Sequence, residues 1–285
     1  MLAATCAGEQ TKSLNAAYSA ALCEMVAFPR VGDWHLHLLE PCFMAASPMS
    51  ADRRAALPNR LLASLPRREC RRLLAACDPV ELEFGVVLFE PEARIRDVYF
   101  PTDSFVSLLI PVDGKSHLEV GMVGNEGMVG VPLILGVDRS DLRALVQGPG
   151  PAWRMGARTF EREVGASAVL RFALHRYLQV RMAQFAQAAA CTRFHLIEER
   201  LARWLLMTQD RAHDSHFHVT HEVLAHMLGV RRVGVTRAAN ALQNRKLIRY
   251  HRGEVTILNR AAMEAASCGC YQADLRAYAN LLGRA

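Results

Sequence analysis

Residues 219–258, VTHEVLAHMLGVRRVGVTRAANALQNRKLIRYHRGEVTIL, decide how the chain is read. Val223, Leu224, Met227 and Leu228 recur at helical spacing, Gly229 interrupts them, and Val235, Ala238 and Leu242 take up the same period beyond it. The pattern predicts a helix, a tight turn and a second helix. Thr220 is placed to cap the first helix, with Glu222 in the first turn where the helix dipole favours an acid. Small Ala225 permits close helix approach, Gly229 permits positive φ and Val235 supplies an apolar anchor, which together meet the demands of a helix-turn-helix.

The second helix opens Arg231-Arg232-Val233-Gly234-Val235-Thr236-Arg237. In a helix lying in the major groove, such N-terminal residues meet base edges and phosphates. Residues 247–257 then read as two short strands turning at Arg252-Gly253, a wing. Between Arg231 and Gly253 the charged residues are Arg231, Arg232, Arg237, Arg245, Lys246, Arg249 and Arg252, with no acid among them. A solvated helix face normally mixes signs, so this run points to a polyanion. Arg231, Arg232, Thr236 and Arg237 are the expected recognition surface, and Arg249, His251 and Arg252 the expected phosphate contacts of the wing.

Outward from this stretch, the chain has 285 residues, 51% of them hydrophobic and 22% charged, enough for two ordinary cores. Its net charge of +6 gains interest from the basic C-terminal third. No apolar run reaches membrane-spanning length and no secretory pattern opens the chain, so a cytoplasmic protein with no membrane partner is expected. The cysteines at 6, 23, 42, 70, 77, 191, 268 and 270 are scattered through a chain too large to need disulfide staples, so reduced thiols are expected.

Residues 1–57 lack a sustained period and are expected to form a poorly ordered extension, with a partial helix near 14–26. Order is expected from Asn59, where leucines recur around a basic surface and Pro66 opens a second helical piece. Strand signals follow at 80–84, 86–89, 97–100, 105–110, 117–123, 143–147 and 152–155, with a hairpin turn at Val112-Asp113-Gly114-Lys115. Closely spaced strands with Gly and Pro punctuation imply an antiparallel β-roll or jelly roll, and with the later helices an α+β fold. Gly124-Asn125-Glu126-Gly127 and the glycines after it either present backbone N–H groups to an anion or simply turn the chain.

A long helix is predicted over 166–190, its apolar seam formed by Leu170, Leu174, Tyr177, Leu178, Met182, Phe185 and Ala189. Val169, Phe172, Ala173, Val180, Ala183 and Ala186 carry apolar surface around it, which asks for a second partner, most economically the same helix of another subunit. A further helix over 194–210 turns Leu196, Ile197, Leu201, Trp204, Leu205 and Met207 inward. His213, His216, His218, His221 and His226 read as a polar linker into a helix start, with a metal held between His218 and His221 as the alternative. Cys268-Gly269-Cys270, before a C-terminal helix over 271–282, offers two ligands and no complete metal site. No metal and no cofactor are expected, and no nucleophile elbow, phosphate loop or carboxylate pair suggests an enzyme.

The order of parts resembles the Crp/Fnr family of bacterial transcription regulators over roughly residues 59–260. EERLARWLLM at 198–207, LAHMLGVRRVGVTRAANAL at 224–242 and the wing LIRYHRGEVTIL carry the resemblance. It implies a homodimer on double-stranded DNA with two-fold-related half-sites, and a cyclic-nucleotide-binding-like domain controlling two recognition helices. Contact with RNA polymerase fits the same resemblance. The implied division is an extension over 1–57, a sensor over 58–165, a dimerisation helix over 166–193 and a winged helix-turn-helix domain over 194–285. Arg232 and Arg237 match positions where members place contacting arginines, whereas Val233 stands where many have an acidic reader. Valine accepts no hydrogen bond from cytosine but can touch a thymine methyl. For the sensor, the resemblance makes Gly124, Glu126, Gly127 and Arg143 the candidate ligand contacts. The family's Arg-Ser pair reads Leu142-Arg143 here, so cyclic AMP is not the expected effector. Cys6, Cys23 and Cys42 are too widely spaced to resemble the family's iron–sulfur sensors. The alternatives left open are a regulatory module acting on a protein partner and a redox- or metal-responsive regulator.

Overall fold

The computed structural model describes residues 59–112 and 116–282. The expected extension over 1–57, with Cys6, Cys23, Cys42 and the helix near 14–26, lies outside the described residues, as do Asp113, Gly114 and Lys115 of the expected hairpin turn. Asn59 caps α1 (Arg60–Ala63) by accepting from the Leu62 N–H at 3.0 Å. Its amide also donates to the Pro101 and Gly127 carbonyls at 2.9 and 2.8 Å. A buried Asn thus ties the start of the described chain to the roll, with every polar contact hydrogen-bonded. Pro66 precedes α2 (Arg67–Leu74).

The strands are β1 (Asp78–Leu82), β2 (Val87–Phe89), β3 (Asp97–Pro101), β4 (Phe105–Val112), β5 (Ser116–Val123), β6 (Arg143–Gly148) and β7 (Gly150–Gly156). They form two antiparallel sheets, ordered β1-β7-β3 and β2-β6-β4-β5. Val98 and Phe100 from the first sheet meet Val106, Val123, Ala144 and Val146 from the second in one core. Between β5 and β6 a short 3-10 helix, Val131–Leu135, is flanked by Gly130 and Gly136, both at positive φ. The expected α+β fold with an antiparallel roll is therefore the observed one.

After α3 (Ala157–Ala166), Ser167 caps the 27-residue α4 (Ala168–Phe194), accepting from the Leu170 N–H at 3.2 Å. Leu170, Leu174 and Tyr177 pack on the roll. The expected seam departs from this at its C-terminal half: Met182 is 59% exposed and Ala189 is exposed, while Arg181 and Gln184 take the buried positions. Arg181 donates to the Met122 carbonyl at 3.0 Å and to Gln184 Oε1 at 2.6 Å, so polar pairing overrides the apolar period there. α4 also runs one turn beyond the predicted end. It stops at His195, whose extended backbone starts α5 (Ile197–Ala212), and Leu196, expected inward, is an exposed N-cap residue.

α6 (His221–Leu228) and α7 (Arg232–Asn244) form the expected helix-turn-helix. Thr220 accepts from the Val223 N–H at 3.2 Å, and Gly229 takes φ +62. A Cβ at Gly229 would meet Leu118 Cδ1 at 2.7 Å, so this turn is pressed against β5 as well as left-handed. Leu201, Leu205 and Leu206 of α5 share a core with Leu224, Val235, Ala239, Leu242 and Val255, and Leu109 and Met122 of the roll complete it. The wing has three strands, in the order β8 (His216–His218), β10 (Glu254–Ile257) and β9 (Ile248–His251), the first of them drawn from the histidine-rich linker. α8 (Arg260–Ala266) leads to α9 (Cys270–Leu282), which returns along α4 and sets Tyr278 into the roll's core. Among the described residues no helix is long and apolar enough to cross a membrane.

Candidate nucleic-acid interface

Burial of Val235, Ala238, Ala239 and Leu242 fixes the rotation of α7, and so decides which side chains it presents. Arg231, Arg232, Val233, Arg237 and Asn240 are exposed. Beyond them Arg249, His251 and Arg252 are exposed on the wing. A cleft of about 350 Å³ separates helix and wing, with Arg232, Asn240, Gln243, Tyr250 and Arg252 on its walls. Gln243 is committed to the fold, accepting from the Tyr250 N–H at 2.8 Å. Asn240 was not singled out from sequence. The signal for it was a lone amide in an alanine-rich run, one turn beyond Thr236 and Arg237 on the same face.

Thr236 is held differently from its neighbours. Its hydroxyl donates to the Arg232 carbonyl at 3.1 Å and lies 3.1 Å from His221 Nδ1, which leaves it turned back towards α6. Burial, followed by the nearby Arg232 charge, holds His221 below its ordinary pKa, so a neutral ring is seated edge-on against Tyr250. Arg245, counted in the basic run, is ion-paired with Glu198 at 2.7 Å and fastens α7 to α5.

The wing turn has Arg252 at φ +50 and Gly253 at φ +89, with His251 paired to Glu254 across it. That is a two-residue hairpin with both central residues left-handed. A Cβ at Gly253 would meet the His218 ring at 2.4 Å, so the glycine is needed for space too. The linker histidines pair with acids: His213 with Asp103 at 2.8 Å, and His216 and His218 both with Glu254, at 3.0 and 2.7 Å.

In the roll, Glu126 is buried and its Oε1 accepts from Arg211 Nη2 at 2.6 Å and Nε at 2.9 Å, joining the loop to α5. Burial pushes this carboxyl up, but the Arg211 charge and the Gly124 N–H outweigh it and hold Glu126 below the usual carboxylate range. A Cβ at Gly127 would fall 2.1 Å from Tyr177 Oη, which bridges the Met128 N–H and carbonyl. A Cβ at Gly124 would meet Arg211 Cγ at 2.8 Å. The glycines therefore admit the protein's own side chains. Arg143 pairs with Glu90 at 2.9 Å, so the candidate ligand contacts have separate internal partners.

Residues 199–266 match the family model of the Crp-like helix-turn-helix domain. This part of the chain is a Crp-like helix-turn-helix domain. No curated protein matches the chain by sequence. A crp/fnr-family transcriptional regulator from Eubacterium rectale has a similar fold, with 16% identity, a TM-score of 0.59, and cover of 72% of this chain and 96% of that one. The c-di-GMP responsive global regulator CLP of Xanthomonas campestris is similar at 17% identity and TM-score 0.56, over 68% of this chain and 100% of its own. A CRP-family regulator from Thermus thermophilus is similar at 18% and 0.55, over 66% and 96%. The described chain thus has the Crp/Fnr fold, with the Crp-like domain carrying the basic face described above.

One constellation beyond the Crp-like domain's basic face was missed in the sequence. Cys268 and Cys270, read as an incomplete ligand pair, are joined in space by Cys191 and His195. The signal was the four-residue spacing of Cys191 and His195, which puts both on one side of a helix end.

Proposed function

We propose that the chain is a homodimeric, sequence-specific DNA-binding transcription regulator whose α7 enters the major groove of each of two half-sites related by two-fold symmetry. The observation that carries this reading is the one-signed surface of exposed Arg231, Arg232, Arg237, Arg249 and Arg252, of which Arg232 and Arg252 line the cleft between helix and wing. Arg232 and Arg237 serve as base or phosphate contacts, and Val233, 55% exposed, suits a thymine methyl. Exposed Phe172 and Met182, at 65% and 59%, support pairing of α4 with its copy. The roll acts as the controlling domain for a signal other than cyclic AMP, a reading supported by the internal pairing of Glu126 and Arg143. RNA polymerase is the further partner, and no enzymatic step is assigned.

The test is selection from a randomised duplex pool, with affinity followed against salt. An enriched inverted repeat with half-site centres about one helical turn apart is the expected result. Steeply salt-dependent binding with no enriched sequence would leave a nonspecific basic protein.

A further inference from the structure

We propose that Cys191, His195, Cys268 and Cys270 hold one tetrahedral divalent metal ion of the zinc type, which pins the start of α9 to the junction between α4 and α5. Their ligand atoms all lie within 4.8 Å of one another. Cys191 Sγ is 3.6 Å from Cys268 Sγ, and Cys270 Sγ is 3.4 Å from His195 Nδ1. A zinc ion with ordinary Zn–S and Zn–N bonds sets tetrahedral edges of about 3.8 Å between sulfurs and about 3.5 Å between sulfur and nitrogen. The two measured edges fit that figure. A polynuclear cluster needs its ligands further apart. A disulfide would bring the sulfurs to roughly 2 Å, and all three cysteines here are free thiols.

Local structure presents the donors in two short pairs. Cys191 and His195 lie one turn apart, where α4 ends and the chain turns extended. Cys268 and Cys270 flank Gly269 at the entrance to α9, and nothing lies within 4 Å of where a Gly269 Cβ would be. The three sulfurs are buried in their own cluster, away from the two main cores.

The surroundings suit thiolates. Gln187 Nε2 donates to Cys270 Sγ at 3.0 Å, and Arg203 Nη1 approaches Cys191 Sγ at 3.9 Å. Three thiolates and a neutral imidazole around a dication leave one net negative charge, and the Arg203 guanidinium stands beside it. Arg203 is itself oriented by Asp274 of α9 at 2.6 Å. The outer contacts therefore come from the same three helices the ion would join. Binding releases the thiol protons, so affinity falls as pH is lowered.

The experiment measures metal content in the full-length protein purified without chelators from zinc-supplemented medium. About one zinc per chain is expected. Titration of the metal-free chain with cobalt(II) should give the ligand-field bands of a tetrahedral ion together with thiolate-to-cobalt charge transfer. Cys191→Ser and Cys268→Ser should each lose the ion, and Cys70→Ser, on α2 and away from the cluster, should keep it. His195→Gln removes a donor that is only half-buried, and should shift the cobalt ligand-field bands and weaken binding while the thiolate charge transfer remains and circular dichroism shows the chain still folded. Absence of zinc, zinc retained by the Cys191 and Cys268 variants, an octahedral cobalt spectrum, or a Cys191–Cys268 disulfide in the freshly isolated protein would each overturn the assignment.

Discussion

At the scale of single residues, Arg232 and Arg252 are both exposed cations, yet their backbones assign them different work. Arg232 opens α7, where a side chain can reach a base edge, and Arg252 sits at the tip of a two-residue turn in the left-handed region. Arg232→Ala should cost about 1–3 kcal/mol and relax preference at one base pair. For Arg252 alanine is a poor probe, because it would add backbone strain at positive φ to the loss of charge. Arg252→Asn keeps the turn, since asparagine followed by glycine suits this hairpin, and removes the charge alone. It should weaken specific and random DNA alike and lower the salt slope by about one. Titrations against both kinds of duplex at several salt concentrations check the pair; equal losses of sequence preference in both variants would remove the division of labour. The turn at Arg252-Gly253 was legible in the sequence because glycine follows a charged residue between two strand-like runs, whereas its left-handed backbone was not. Nor was the inward commitment of Thr236, because it depends on where His221 stands across the helix-turn-helix.

At the scale of elements, the helix-turn-helix and the strands of the roll were legible because each carries its own period and punctuation. α4 was less so. Its sequence is apolar around much of its circumference, so no single face is marked as inward. Tertiary pairing of Arg181 with the Met122 carbonyl, supported by Gln184 one turn along the same helix, selects the face, and Met182 is turned to solvent as a result. The consequence for assembly can be measured. Phe172 and Met182 stand ten residues apart on an outward surface, so Phe172→Glu with Met182→Glu places charge on it without touching the buried Leu170, Leu174 and Tyr177. Sedimentation should then show a shift from dimer towards monomer at concentrations where the unaltered chain is dimeric, with helicity unchanged. A dimer that persists would put the subunit interface elsewhere. The group of three cysteines and His195 escaped the sequence reading for a reason of the same kind: its two pairs are 73 positions apart between His195 and Cys268, and only the return of α9 along α4 joins them.

At the scale of the whole molecule, the Crp-like domain rests on the roll through a buried carboxylate. Glu119 of β5 accepts from Ser107 Oγ at 2.6 Å on the neighbouring strand and from Trp204 Nε1 at 3.1 Å on α5. Burial raises its pKa to about 7, and the bonds from Ser107 and Trp204, with the Arg203 and Arg211 charges, only partly oppose that rise. The folded chain therefore holds a proton here that the unfolded chain gives up near its ordinary 4.5. The contribution to stability is complete below 4.5, is lost as pH rises through about 7, and is flat above it. Its full size is on the order of 3 kcal/mol. Glu119→Gln keeps an acceptor for Trp204 and a hydrogen-bonding partner for Ser107 without the titration. Urea unfolding of both proteins across this window should show the unaltered chain losing stability relative to the variant as pH rises, with the difference levelling off above about 7. A difference that is constant with pH, or that grows in favour of the carboxylate, would mean that the Arg203 and Arg211 charges outweigh desolvation and that β5 and α5 are joined through an ionised Glu119.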